Sequence, residues 1–496
     1  MKRAFPFLLA ALLGAWWTRL LVGSLVAWVD DADVWWVAAA GRRMLATGAV
    51  PRVNGFSFVE PDHAWVMHEW LFGPPYALGL GALGPRFFAL ASAAAFASTG
   101  ALVLAATVGR ARHPAVGCAA ALVALVLFAH PTARPTWVAL VFPAAMALLV
   151  FREAFGRGAL GVALAIELVW TNAHGSFPLG LLLLGAGAWG AERDRGRRVG
   201  AALAAALVTV VNPYGLKLHA LVVDYVLAAR GQGMGDLTPI LEYAPLWDAR
   251  YFTVNSVPAT AALAGLVVLA AWAVRREATR ARAALVLLLA PLAMVHARYA
   301  PMVALVAAVA LVPALDDAVV CAGLAELAGG PWRVSRTRAG AYGVVLAAIA
   351  ALAFAAVASR PPDAWLDPAL GGPSFLRLVS RLPDGANAVT PFRSAGLVLW
   401  LASPRGVRVF YDSRNDCYSE DMRHVGLTLL ERSPGAIVDE LERRGATVAL
   451  VPSPRGAQAQ QRRGYDGALA AAPGWSILTR DGDWAIYARG PAGELR

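Results

Sequence analysis

Asp30-Asp31-Ala32-Asp33-Val34-Trp35-Trp36 opens, and Trp65-Val66-Met67-His68-Glu69-Trp70 closes, the stretch on which the reading of this chain turns. The stretch begins where a long apolar run ends, which places three acids at the mouth of a membrane helix. Asp33 to Thr47 reads as a short amphipathic helix stopped by Gly48. Trp35 and Trp36 suit a headgroup region, where amphipathic rings prefer to sit. A turn-rich crossing follows from Pro51 to Phe58, and a second interfacial helix is expected from about His68 to Leu80. N-capping accounts for Asp30 and Asp31, since Asp is favoured there. Asp33 falls inside the first turn, and three acids in four residues exceed what one cap uses.

Outward from this loop the composition is that of a membrane protein. Hydrophobic residues make up 58% of the 496 and charged residues 16%, against roughly 45–50% and about 25% in soluble domains. The net charge of +11 does not point to nucleic acid. Lys occurs only at 2 and 217, and the arginines lie in short runs between apolar segments, the positive-inside pattern. Cys118, Cys321 and Cys417 show no zinc or redox spacing. The run after Lys2-Arg3 outlasts a signal-peptide core of about 7–15 residues and lacks a small-residue cleavage site, so it reads as a retained helix.

A bilayer core needs about 20 apolar residues. Spans are expected near 5–29, 85–108, 114–130, 136–151, 158–171, 175–191, 199–212, 257–274, 282–296, 299–315 and 339–358. The fold class is therefore mainly α, a polytopic bundle of about eleven spans with interfacial helices in its first outer loop. Domain 1–359 holds the bundle, with outer loop 30–72 and outer loop 213–256, the latter aromatic enough to be an ordered cover. From Arg360 the pattern becomes soluble and α/β. There Ala436–Arg444 reads as a helix, Thr447–Pro452 as a buried strand, and Trp475–Arg480 with Trp484–Arg489 as a hairpin across Asp481-Gly482. Phe410-Tyr411-Asp412-Ser413-Arg414-Asn415-Asp416 ends a strand in this domain, where turn chemistry and ligand binding are both open readings.

Charge sorts the loops. Arg110 and Arg112, Arg152 and Arg157, Arg193 to Arg198, Arg275 to Arg282 and Arg333 to Arg338 fall on the side of Lys2-Arg3, taken as cytoplasmic. His174, His219, Lys217, Arg134, Arg298 and the stretch from Asp30 to Glu69 fall on the other side, with the C-terminal domain. Of eight histidines only His113 is clearly inside, a segregation that one outward-facing site built from several loops would produce. Arg19 and Glu167 lie within spans, where an ionisable group is a functional candidate or half of a structural ion pair.

Asp33 followed by aromatics, then Gly41-Arg42-Arg43-Met44-Leu45-Ala46-Thr47-Gly48, Pro51 and finally His68-Glu69-Trp70, resembles the first outer loop of the GT-C membrane glycosyltransferases. The nearest branch is that of the protein mannosyltransferases and aminoarabinose transferases, often called family 39. The resemblance covers about the first hundred residues. It implies a polyprenyl-phosphate sugar donor, an inverting transfer, and a glycan, lipid or protein acceptor reached from the outer leaflet of a plasma (inner) membrane. Carried over by position, Asp33 matches the catalytic acid and Glu69 a second polar position. The family's Asp-Glu pair is here Asp33-Val34, with Asp31 on the other side, which is a departure.

That chemistry requires a base on the acceptor hydroxyl and cations on the departing phosphate. Asp33 is the expected base, with Asp31 or Glu69 orienting the acceptor. His68, Arg298, Lys217, His219, His174 and Arg134 are the expected substrate-binding residues, since Arg recognises phosphate bidentately and Lys as a point charge. Singly, each histidine reads more simply as an interfacial polar residue. Asp31-Ala32-Asp33 could offer oxygens to Mg2+ or Mn2+, and metal dependence stays open. The rival readings are a transporter or export component for lipid-linked glycans, which would lean on Arg19 and Glu167, and a non-catalytic envelope assembly protein.

Overall fold

The computed structural model describes residues 5–26, 29, 31–126, 134–228, 241–248, 257–328, 355, 359, 370, 372–453 and 464–490. The chain divides into two compact units, one of residues 1–27 with 89–359 and the other of residues 28–88 with 360–496. The change of composition at Arg360 coincides with a unit boundary. The opening loop belongs to the unit that contains the C-terminal segment.

The first unit is helical. It holds α1 (Phe5–Val26), most of α4 (Arg86–Thr107), α5 (Pro114–Val126), α6 (Pro135–Val138), α7 (Val141–Val150), α8 (Arg157–Ala173), α9 (Pro178–Trp189), α10 (Arg195–Val208), α11 (Leu216–Ala228), α12 (Val257–Ala273), α13 (Arg280–Val295), α14 (Ala300–Ala310), α15 (Val312–Cys321) and α16 (Ala325–Ala328). Ten of the eleven apolar segments read from the sequence coincide with these helices. The eleventh, 339–358, lies almost wholly outside the described residues.

By length and composition, α1 over Phe5–Gly23 and α4 can cross a membrane, and α14 with α15 make a third candidate among the described residues if the 60° bend between them lies within one span. Pro313 stands in the first turn of α15, where it lacks the N–H that would continue the ladder of α14. Arg19 and Glu167 do not form the ion pair that was one reading of them. Arg19 lies over the Trp16 ring at 4.7 Å, whereas Glu167 is fully buried, with neither carboxylate oxygen hydrogen-bonded among the described residues.

The second unit begins with α2 (Asp33–Thr47) and α3 (Gly73–Leu83), and continues with α17 (Gly372–Val379), α18 (Phe392–Ala402), α19 (Glu420–Thr428), α20 (Pro434–Arg443) and α21 (Gly464–Ala470). Strands β1 (Asn387–Val389), β2 (Arg408–Val409), β3 (Val448–Pro452), β4 (Trp475–Asp481) and β5 (Trp484–Arg489) form one sheet in the order β2-β1-β3-β5-β4. β1 is parallel to both β2 and β3, and β5 is antiparallel to β3 and β4. The β4–β5 hairpin turns at Asp481-Gly482 as the sequence indicated, with Gly482 at φ 54°.

The opening loop completes this sheet. Ser57 bridges Val409 in parallel, Val409 donates its N–H to Phe56 O at 3.0 Å, and Phe58 donates to Val409 O at 3.3 Å. The edge of β2 is thereby covered by a segment from the other end of the chain, a standard way to protect a sheet edge.

Gly48 ends α2 in the left-handed region at φ 67°, as expected of its position. The first turns of the helix are core, however. Val34 to Gly41 are buried without interruption, Trp35 stands edge-on to Phe88 and Trp36 edge-on to Trp65. The two indoles that suited a headgroup region serve as core, because α3 and α18 close on the helix from opposite directions. Two glycines permit that closure. A Cβ on Gly41 would sit 1.8 Å from Gly73 O, and one on Gly396 of α18 would sit 2.4 Å from Ala32 O.

Backbone rather than side chain faces each of these positions, so relief requires the helices to separate. Gly41→Ala is therefore expected to destabilise the protein by about 1–3 kcal/mol or more, read as a lowered thermal midpoint. Gly81→Ala, with nothing within 4 Å of the added atom, should be tolerated.

Candidate functional site

The acids of the opening loop occupy three settings. Asp31 Oδ1 accepts the backbone N–H of Asp33 at 2.8 Å, a turn-forming contact of the kind Asp makes two residues ahead of itself. The N-cap position of α2 is Ala32, without a side-chain cap bond, so Asp31 forms a turn rather than the expected cap, while Asp30 lies outside the described residues. Asp33 stands in the first turn of α2, partly exposed, with Oδ1 accepting from the Trp36 indole Nε1 at 3.0 Å. That bond fixes the orientation of the carboxylate, and Trp36 is itself locked into the core. Glu69 is buried, at the turn that leads into α3.

His68 lies between two carboxylates. Its Nε2 is 3.6 Å from Glu69 Oε1 and its Nδ1 is 3.6 Å from Asp416 Oδ2. Burial by itself would lower the imidazole, but Asp416 and Glu69 together outweigh it and raise the group to about 10. His68 is therefore an imidazolium at neutral pH. Tyr76 of α3 completes the cluster. Burial pushes its phenol well up, and the nearby charges of Glu69 and Asp31 push it further, so it remains a hydroxyl throughout the physiological range.

Asp416 belongs to the polar stretch that ends β2, and its neighbours tie that stretch to the opening loop. Arg414 donates Nε–H to Asp412 Oδ1 at 2.8 Å and Nη2–H to Asp412 Oδ2 at 2.6 Å. It also donates Nη2–H to Asn54 Oδ1 at 2.9 Å, and it lies 4.7 Å from the Trp65 ring centroid. Both ionic side chains are wholly buried. Tyr418 donates its hydroxyl to Asp412 Oδ2 at 2.9 Å. Glu60 accepts the N–H and the hydroxyl of Ser419, the residue that caps α19. Arg42 reaches across to Trp400, donating to its carbonyl at 2.5 Å and stacking on its ring at 4.3 Å.

The expected phosphate ligands lie in the first unit. Arg134 and Arg298 converge on one carboxylate. Arg134 grips Glu242 bidentately, at 2.5 and 3.0 Å, and Arg298 Nη1 is 3.5 Å from Glu242 Oε1. Arg298 also covers the Tyr243 ring at 4.4 Å. Burial would raise the Glu242 carboxyl, but the two guanidiniums prevail and hold it down at about 2.

His174 is buried after the end of α8, with Nδ1 2.8 Å from Ser176 Oγ and Nε2 3.3 Å from Thr136 Oγ1, two residues from Arg134. His219 Nε2 is 2.8 Å from Thr209 Oγ1, and its ring stands edge-on to Phe177. Lys217 is exposed on α11. The structure thus brings Arg134, Arg298 and the His174 turn together, places His219 against α10, and leaves Lys217 outside both groups. Among the described residues, no three His, Cys, Asp or Glu side chains are arranged to hold a metal ion.

Three contributors were not assigned a role from the sequence, although Asp416 lies in the stretch left open for ligand binding and Glu242 in the expected cover loop. Tyr76 is one of eleven tyrosines, Asp416 reads as a turn former, and Glu242 stands in a loop whose acids are not distinguishable by pattern.

No protein-family model matches the chain, and no curated protein matches it. Among solved structures, it resembles the archaeal oligosaccharyltransferase AglB from Archaeoglobus fulgidus in complex with an inhibitory peptide and a dolichol-phosphate. That match has a TM-score of 0.52 and 11% identity, over 99% of this chain and 75% of that one. It is also similar to ArnT from Cupriavidus metallidurans bound to undecaprenyl phosphate, with a TM-score of 0.47, 14% identity and coverage of 98% and 99%. The apo ArnT structure gives 0.46, 14% identity and 98% of both chains. The likeness to AglB shows that the chain shares the fold of that protein.

The raised imidazole of His68 sets a pH dependence. Its folded-state value exceeds the ordinary 6.5, so its contribution to stability is complete below 6.5 and disappears as pH rises toward about 10. Thermal melting from pH 6 to 10.5 is expected to show a loss above pH 7 in the wild type that is smaller in His68→Gln.

Proposed function

We propose that the chain is an integral-membrane glycosyltransferase that moves a sugar from a polyprenyl-phosphate donor to a glycan, lipid or protein acceptor at the outer face of the membrane, with Asp33 as general base. The observation that carries this reading is the setting of Asp33. It is a partly exposed carboxylate aimed by a core indole, in the opening loop that also carries the Glu69–His68 pair, in a chain that shares its fold with AglB over nearly its whole length. AglB is described in complex with a dolichol-phosphate, which supports a lipid-phosphate donor for the present chain. The bundle is taken to cross the bilayer about eleven times, with the N-terminus cytoplasmic and the C-terminal segment extracytoplasmic, as the arginine distribution favours.

In this reading Asp33 accepts the proton of the acceptor hydroxyl as the new glycosidic bond forms. A carboxylate within hydrogen-bond reach of that hydroxyl can take its proton. Glu69, with His68 as its cation, and Asp31 position the acceptor. Arg134 and Arg298 receive the departing lipid phosphate, with Lys217, His219 and His174 on the same outer side. Glu242, which now balances both guanidiniums, would exchange its place with the phosphate as charge develops there, since preorganised cations act most strongly where water is scarce.

The transporter reading draws on Glu167, a buried acid without a partner among the described residues in an apolar helix. Comparing two variants separates the readings. Mass spectrometry of envelope glycans from cells lacking the gene, complemented with Asp33→Asn, is expected to show transfer reduced by about 10²–10⁴-fold, with the protein inserted and melting normally. Full complementation by Asp33→Asn together with failure of Glu167→Gln would instead assign transport.

A further inference from the structure

The charge at the end of α7 in the first unit is unbalanced. Arg110, from the turn after α4, donates to the carbonyl of Leu148. Arg198 of α10 donates to Val150 O at 2.5 Å and to Arg152 O at 2.6 Å. Arg282 of α13 reaches Phe151 O at 3.5 Å and covers the Phe151 ring at 4.9 Å. Three guanidiniums from three separate elements thus gather on the last carbonyls of one helix. They act on one another electrostatically, with Arg110 and Arg198 both bearing on Arg282, and the exposed Arg152 bearing on Arg110.

Helix capping explains why one arginine stands there, but not three. A helix C-terminus carries about half a negative charge, whereas the cluster brings three full positive ones. Among the described residues no carboxylate lies within ion-pair distance of Arg110, Arg198 or Arg282. Asp194, whose charge reaches Arg198, is held by Arg197 at 3.1 Å and by the Phe155 N–H at 3.2 Å. Donors are also left over. Arg198 is only 4% exposed, yet its Nε–H has no acceptor, and Nη1 of Arg110 is buried in the same condition. A buried guanidinium donor without an acceptor is destabilising, so a missing anion is the simplest completion.

We propose that Arg110, Arg198 and Arg282 form a binding site for a phosphate-bearing anion at the end of α7. The planar guanidinium forks suit phosphate oxygens bidentately. All three fall in stretches that the arginine pattern assigns to the cytoplasmic side. Two sources share the chemistry, a phospholipid headgroup and free phosphate, and the test distinguishes them.

The full chain in detergent is titrated with phosphatidylglycerol, with phosphatidylcholine, and with inorganic phosphate against chloride at equal ionic strength. Lipid retention is read by native mass spectrometry and stability by thermal melting. The wild type is expected to retain phosphatidylglycerol about tenfold more tightly than phosphatidylcholine. Arg282→Gln should lose that preference, and the exposed Arg193→Gln should keep it. Stabilisation by inorganic phosphate alone, lost in Arg282→Gln, would support the site with free phosphate as its ligand. Equal behaviour of wild type and Arg282→Gln in both arms, or an equal loss in Arg282→Gln and Arg193→Gln, would overturn it. Should Arg282→Gln not fold, Arg282→Lys is expected to weaken the preference while melting normally, and an undiminished preference in that variant would overturn the proposal.

Discussion

The second unit depends on a buried ion pair, Asp412 with Arg414, whose spare guanidinium donor is given to Asn54. Two fully buried charges are costly to desolvate, and their attraction compensates only when geometry and hydrogen bonding are nearly complete. Here the carboxylate accepts two arginine side-chain donors and the Tyr418 hydroxyl, while the guanidinium, whose Nη1 has no acceptor among the described residues, is enclosed by Trp65 and Phe56. Such a pair contributes less to net stability than to uniqueness, because few other placements of residues 52–65 would satisfy it. The opening loop is consequently a structural part of the C-terminal α/β unit, although about 360 residues of chain separate the partners.

This arrangement bears on chemistry through rigidity. A general base must be held close to its working geometry, and first-contact residues are only as well placed as what supports them. Asp33 is aimed by Trp36, Trp36 packs on Trp65, and Trp65 lies under Arg414. His68 reaches Asp416, two residues beyond Arg414. The residues that aim the acid thus run from the loop into the C-terminal segment through consecutive packed contacts. The first unit follows a different rule. One of its charge clusters sets Glu242 between two arginines, and in another the arginines outnumber the acids within reach among the described residues.

What was legible in the sequence was local. Helix positions followed from apolar runs, Gly48 from its place after Thr47, and the hairpin from Asp481-Gly482 between alternating residues. The gathering of Arg134 with Arg298 was foreshadowed by their sharing one side of the charge pattern. Contacts between distant segments were not legible. Nothing near Asn54 announces Arg414, and nothing near His68 announces Asp416. Trp35 and Trp36 misled because an amphipathic ring suits a headgroup and a core equally well, and burial by α3 and α18 is a tertiary fact. Arg19 and Glu167 look like a natural pair by depth alone, but their helices direct them to different surroundings.

The central claim is that the C-terminal segment holds the acid-bearing loop in its working shape. Hydrogen–deuterium exchange on the full-length Arg414→Met protein addresses it most directly, because this change leaves Asp412 buried and uncompensated while touching no acid of the loop. The account predicts that amides of residues 52–65, 68–72 and 408–418 lose protection together while the helices of the first unit keep theirs. Loss confined to 408–418, with the opening loop as protected as in the wild type, would contradict it.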